Sequence, residues 1–348
     1  MKHVFFLHSH VTWLVSLGVI RHHELAYKDI LFVCSRGYEP PVNEFESLQF
    51  PDRNWLSPWR PDKSAQDKQE LTQFVDQVAQ NADFYWYLPH TGFPFFLPFI
   101  NHPHCLGFCL IEEGIGSYFT PEALKRSMQR TTACMPGWKG WVYRLWYLLR
   151  PPELADNRYL FVYGCTEDAF PGYARKIKVD FVGAPLPPRD AIVSVLVFDN
   201  LVEAGLIDEI SFGYCVDEIL KILAQQGEQT IHYKLHPGQY IDQRYTPRLL
   251  ERLECNPYGV KLIELPADYC LELLATTGQP KFYVFISSVG YYAAISGCRV
   301  YSMASRLADY NSRYKILMET IPPVMSQRIT FIENPNNIEN KKTSKSNR

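Results

Sequence analysis

The chain has 348 residues, 47% hydrophobic and 21% charged, enough apolar material to bury two cores of ordinary domain size and too much for a disordered polymer. A formal net charge of -2 supplies no broad positive field, which argues against a general nucleic-acid binder. No apolar run is long enough to span a bilayer, and the nine cysteines, scattered through apolar segments without CxxC or paired zinc spacing, read as buried thiols of a reducing cytoplasm.

The opening MKHVFFLHSHVTWLVSLGVI imitates a secretion signal in its early lysine and apolar content. His8, Ser9 and His10 interrupt the apolar run and no small-residue cleavage site follows, so the segment reads as a first strand and helix. Short apolar runs of strand character recur at 3–8, 29–34, 83–88, 104–111 and 159–164. Between them, 67–82 carries Leu71, Phe74, Val75 and Val78 at helical spacing. Strand alternating with helix predicts an α/β chain with a parallel, doubly wound sheet. WKGWVYRLWYLLRPP (138–152) reads either as an amphipathic membrane-surface helix or as a core helix packed on the sheet.

Prolines 185, 187 and 188 then exclude regular structure and mark a linker. The alternation restarts beyond it, with strands at 192–198, 230–235, 260–265 and 281–288 and helices at 216–227, 267–278 and 289–297. Two similar α/β domains in tandem are expected, 1–184 and 185–335. They precede a basic tail, 336–348, whose KKTSKSNR end lacks any apolar residue and reads as disordered. In open parallel sheets ligands bind outside the carboxyl ends of the strands, and between two such domains they bind in the cleft.

Three clusters fall just after predicted strands. Glu112 and Glu113 precede Gly114; a carboxylate whose proton affinity is raised by burial or by its neighbour can take the proton of an attacking hydroxyl, whereas the bland reading is a solvated loop. His236, Pro237 and Gly238 follow TIHYKL, where an imidazole can donate to a phosphate or protonate a leaving group. Ser287 and Ser288 open a helix, so they act either as an ordinary N-cap or as a phosphate cradle with the first free amides. Glu272 lies between the last two clusters, as a nucleotide contact or a solvated helix residue. No GxxxxGK[ST], no GxGxxG and no strand-end DxD is present, which disfavours P-loop, nicotinamide and metal-dependent sugar-transfer chemistry.

Acidic-acidic-Gly, then His-Pro, then Ser-Ser, each after a strand, resembles the bacterial sialyltransferases. The closest likeness is to the lipooligosaccharide sialyltransferases of glycosyltransferase family 52 and the related capsule polysialyltransferases. The resemblance implies a GT-B fold, two Rossmann-like domains with parallel sheets facing across a cleft, the N-terminal one binding acceptor and the C-terminal one nucleotide sugar. It implies CMP-sialic acid as donor, a bacterial surface glycan as acceptor, no cofactor, no metal and inversion at the anomeric carbon. Glu112 or Glu113 would be the base, His236 the general acid or electrostatic stabiliser at the donor phosphate, and Ser287 with Ser288 the phosphate cradle. These families often have aspartate in the acidic motif; two glutamates leave open which one reaches the acceptor. The same layout admits other donors, CMP-Kdo, CMP-legionaminic acid, CMP-pseudaminic acid or a UDP-hexose, and also a non-catalytic glycan- or nucleotide-binding protein. The expected location is the cytoplasm, with peripheral contact at the inner face of the membrane if 138–152 is amphipathic and the acceptor lipid-linked.

Overall fold

The computed structural model describes residues 1–41, 44–51, 61–91, 94–123, 158–181 and 192–332. The chain divides into two compact units, Met1–Ala184 and Pro185–Arg348.

In the first unit seven strands form one sheet: β1 (Lys2–Leu7), β2 (Ile30–Cys34), β3 (Glu46–Gln49), β4 (Phe84–Leu88), β5 (Cys105–Ile111), β6 (Val162–Gly164) and β7 (Lys176–Lys178). Their order is β3-β2-β1-β4-β5-β6-β7, and every neighbouring pair is parallel. A parallel sheet is covered on both faces, which is why β2 is buried at each of its five positions and reads as an unbroken apolar run. Aromatic side chains dominate that core; Trp86 stacks on Phe99 with ring centroids 4.5 Å apart. The helix His10–His22 starts where the HSH interruption stands, because Ser9 caps it reciprocally with Thr12. Its Gly18 lies so near the chain after β7 that a Cβ there would meet the Asp180 carbonyl at 2.6 Å.

The second unit holds a six-stranded sheet of β8 (Ser194–Val197), β9 (Thr230–Lys234), β10 (Lys261–Glu264), β11 (Lys281–Val284), β12 (Val300–Ser302) and β13 (Thr330–Phe331), in the order β10-β9-β8-β11-β12-β13 and again parallel throughout. The helix Glu209–Gln225, capped by Asp208, lays Phe212, Val216, Ile219 and Leu223 into one core cluster. In the helix Ser288–Ile295, Gly290 permits close approach to β11: a Cβ there would touch Val284 at 3.0 Å.

Both sheets reverse direction once. In the first the chain builds outward from β1 through β2 and β3, then crosses to β4. In the second it builds from β8 through β9 and β10, then crosses to β11. Such reversals open a crevice at the strands' carboxyl ends, between β1 and β4 in one unit and between β8 and β11 in the other.

The helical and strand runs expected from periodicity are all present. Four short strands, β3, β7, β12 and β13, were not anticipated, since two to four residues are too few to display a period. The segments 138–152 and 336–348 and the linker prolines lie outside the described residues. The thiols are less uniformly buried than expected: Cys255 is exposed, and Cys105 and Cys165 are half-buried, whereas Cys34, Cys109, Cys215, Cys270 and Cys298 are buried. All eight described cysteines are free. Among the described residues no helix is long and apolar enough to cross a membrane.

Candidate functional site

Adjacent residues leaving a strand point to opposite sides, and this separates the two glutamates. Glu112 turns toward β6 and is completely buried. Its Oε1 accepts the Tyr118 hydroxyl and its Oε2 accepts the Cys165 amide at 2.7 Å. Gly164 leaves room for this carboxylate, since a Cβ there would lie 3.2 Å from Oε2. Burial, with the charge of Glu112 added, pushes the Tyr118 hydroxyl well above the usual range, so it remains a donor.

Glu113 turns the other way, toward the β1–β4 crevice. Its Oε2 lies 3.4 Å from Nε2 of His8, and its side chain is 19% exposed against 8% for His8. Oε1 packs over Gly116, where a Cβ would come within 2.7 Å, and the Glu113 amide donates to the Ser117 hydroxyl at 3.0 Å. Gly114 makes the turn possible with φ +132° and ψ -142°, a conformation nearly confined to glycine. Each glycine of EEGIG therefore has a separate task, one bending the chain and the other clearing space for a carboxylate.

Four strand ends act on Glu113: His8 after β1, Arg36 after β2, His90 after β4, and its own β5. Burial alone would raise its proton affinity, but His90, His8 and Arg36 outweigh that and hold it down to about 2, so the group is an anion at any working pH. His90 is held below the ordinary imidazole range, chiefly by burial and against the pull of Glu113. His8 itself is fixed through its backbone, whose N–H donates to Thr12 Oγ1 at 3.2 Å.

In the second unit the strand-end residues gather around β8, β9 and β11. Asp199 follows β8, is 9% exposed, and accepts the Ile286 amide after β11 at 3.0 Å, bridging the two strands at the sheet's reversal. Burial, only partly offset by that amide, raises its carboxyl to about 7. His236 caps the short helix Pro237–Ile241. Its Nδ1 accepts the Gly238 amide at 2.9 Å, and its own amide donates to Gln239 Oε1. An Nδ1 that accepts puts the ring proton on Nε2. Gly238 lies close under Asn200, where a Cβ would meet Nδ2 at 2.6 Å. Ser287 occupies the N-cap of Ser288–Ile295 and makes no side-chain capping bond, so the ordinary N-cap alternative does not describe its hydroxyl.

Glu272 is 6% exposed, which excludes the solvated-residue reading. Burial raises its proton affinity, countered in part by Lys234. Lys234, at the end of β9, donates to three carbonyls, Pro266, Ala267 and Tyr269 at 3.1, 2.6 and 2.8 Å, and so pins the loop that leads into Leu271–Thr277. Burial lowers its ammonium to about 8 despite the nearby Glu272. Sequence reasoning passed over His8, Asp199 and Lys234. Each sits at or directly after a strand, so the strand-end rule applied evenly would have collected them. Among the described residues no group of three or more His, Cys, Asp and Glu side chains is arranged to hold a metal ion.

No protein-family model matches the sequence, and neither does any curated protein. Among solved structures the chain is similar to S. aureus MnaA in a co-structure with UDP, at 10% identity over 95% of this chain and 92% of that one, TM-score 0.50. It is also similar to the glycotransferase of kitacinnamycin (13% identity, 98% and 90% covered, TM-score 0.49) and to a sialyltransferase from Photobacterium damsela (14% identity, 95% and 81% covered, TM-score 0.47). The likeness is one of fold, and with two parallel-sheet α/β units of seven and six strands the chain has the GT-B fold.

Proposed function

We propose that the protein is an inverting, metal-independent glycosyltransferase that moves sialic acid from CMP-sialic acid to a hydroxyl of a bacterial surface glycan, a lipooligosaccharide or a capsule chain. The observation that carries this reading is the content of the two crevices. One holds a permanently ionised carboxylate among imidazoles. The other holds the N–H edge of His236, the Ser287 and Ser288 hydroxyls and the start of a helix. The first suits removal of a proton from an acceptor hydroxyl, and the second suits a phosphate that gains charge as it leaves.

A sialyl donor fits this division. Its oxocarbenium-like transition state is helped by the sugar's own carboxylate, and CMP departs as a phosphate monoester, so a base and a phosphate cradle cover what the protein must supply. Within the acidic pair, Glu112 has both oxygens occupied inside the fold, and we assign it to holding the Tyr118–Cys165 region together. Glu113 serves the acceptor side. Lys234 and Glu272 support the loop 265–270, which we assign to the nucleoside.

The test is incubation of the purified protein with CMP-sialic acid and a lactoside, with and without EDTA. Equal sialyllactoside in both arms is expected, and absence of product in both would refute the reading. A UDP-linked sugar is the competing donor, because S. aureus MnaA, similar in fold, was solved with UDP. Thermal shift decides between them, since the nucleotide that binds the folded protein raises its melting temperature and the other leaves it unchanged.

A further inference from the structure

We propose that His8 accepts the proton of the attacking hydroxyl, and that Glu113 is its positioning partner and not the base itself. The inference rests on the transferase reading and deepens it at the same site.

The geometry points to the imidazole in three ways. First, His8 directly follows β1, one of the two strands that flank the reversal of the sheet, whereas Glu113 follows β5, beyond β4, and reaches toward His8. Second, both carboxylate oxygens of Glu113 are committed within the fold, Oε1 beside Gly116 and Oε2 against His8, while its amide donates to Ser117. Third, the contact uses Nε2 of His8, so the Nε2 proton is directed at the carboxylate and Nδ1 is left as the basic edge of the ring. A carboxylate lowered to about 2 is also a poor proton acceptor.

The step balances as follows. The acceptor oxygen forms a bond to the anomeric carbon, and the bond from that carbon to the phosphate oxygen breaks with its electron pair leaving on the nucleotide. The hydroxyl proton passes to Nδ1 of His8, and the imidazolium so formed lies against the Glu113 anion. His90 after β4 and Arg36 after β2 also face that anion.

The test is the pH–rate profile of full-length wild type, His8→Asn, His8→Gln and Glu113→Gln with CMP-sialic acid and lactoside, with CMP-induced thermal shift confirming that each variant is folded and binds nucleotide. Both His8 variants are expected to lose kcat by roughly 10²–10⁴-fold with CMP binding intact. Glu113→Gln keeps part of the rate, and the acid limb of its profile moves to lower pH, because removing the anion destabilises the imidazolium that the step forms. A purely structural contact would lower the rate without moving that limb. His8 variants within threefold of wild type, or an unmoved acid limb in Glu113→Gln, overturn the inference and leave the transferase reading standing. A wild type that transfers no sugar from CMP- or UDP-linked donors overturns both.

Discussion

Replacing Glu112 and Glu113 separately exposes the division of labour inside the acidic pair. Glu112→Ala removes the acceptor of the buried Tyr118 hydroxyl, which keeps Thr166 Oγ1 at 3.2 Å, and of the part-buried Cys165 amide. An unsatisfied buried donor costs about 1–3 kcal/mol, and a part-buried donor or one that keeps a second partner costs less, so the sum is on the order of 1–4 kcal/mol before any cavity is counted. A domain is stable by about 5–15 kcal/mol, and for one of this size each kcal/mol moves the melting temperature by about 2–4 °C. The N-terminal unit should therefore melt roughly 2–15 °C lower. Glu112→Gln keeps the volume and one carbonyl oxygen but aims an NH2 group at a donor, and should fall between Ala and wild type. Glu113→Gln keeps an oxygen toward His8 and should cost on the order of 1 kcal/mol, with its main effect on turnover. Thermal and guanidinium unfolding, followed by circular dichroism and tryptophan fluorescence, measures all three. If Glu112→Ala unfolds with wild-type stability, or Glu113→Gln is the less stable of the two, the assignment of a structural and a functional glutamate is wrong.

Further outcomes follow from the same geometry. Asp199 holds its proton up to about 7 in the folded state against 3.8 as its ordinary value. The folded chain thus binds the extra proton between these limits, and the stability this contributes is present below pH 4 and lost as pH rises through 7, on the order of 4 kcal/mol in all. Asp199→Asn removes that slope, so the stability gap between variant and wild type should change between pH 4.5 and 7.5; a constant gap would contradict it. Lys234→Met strips three carbonyls of their donor and should lower the urea midpoint of the C-terminal unit by the equivalent of about 2 kcal/mol or more, while weakening CMP binding. An unchanged midpoint would show that the loop 265–270 holds without the lysine. Gly114→Ala forces a side chain into a glycine conformation at about 1–3 kcal/mol. Gly116→Ala displaces only the movable end of Glu113, so it should keep wild-type stability and lose activity; stable, fully active Gly116→Ala would refute the role of that contact.

The strand-end placement of the candidate residues was legible because strand ends are visible in sequence. Apolar runs such as DILFVC and TIHYKL end abruptly, and the residue after each end is where an open parallel sheet keeps its chemistry. That rule reached Glu113, His236 and Ser287. It also put Glu112 beside Glu113 as an equal, because a dipeptide does not reveal which side chain enters the core. His8 was seen as a break in an apolar run, and only its contact with Glu113 gives it another meaning. Glu272 read equally as a nucleotide contact or a solvated helix residue, and only its burial in the fold removes the second reading.

Local pattern alone determined the alternation of strand and helix and the glycine turn after the acid pair. Those features depend on neighbours a few residues apart, through periodicity and allowed dihedral angles. The tertiary structure alone decided which glutamate is sealed, which imidazole meets the other, and that Asp199 bridges to Ile286. Each of these depends on strands far apart in the chain being set side by side, and burial and charge interaction change over a few ångströms of space, a distance the order of residues does not encode.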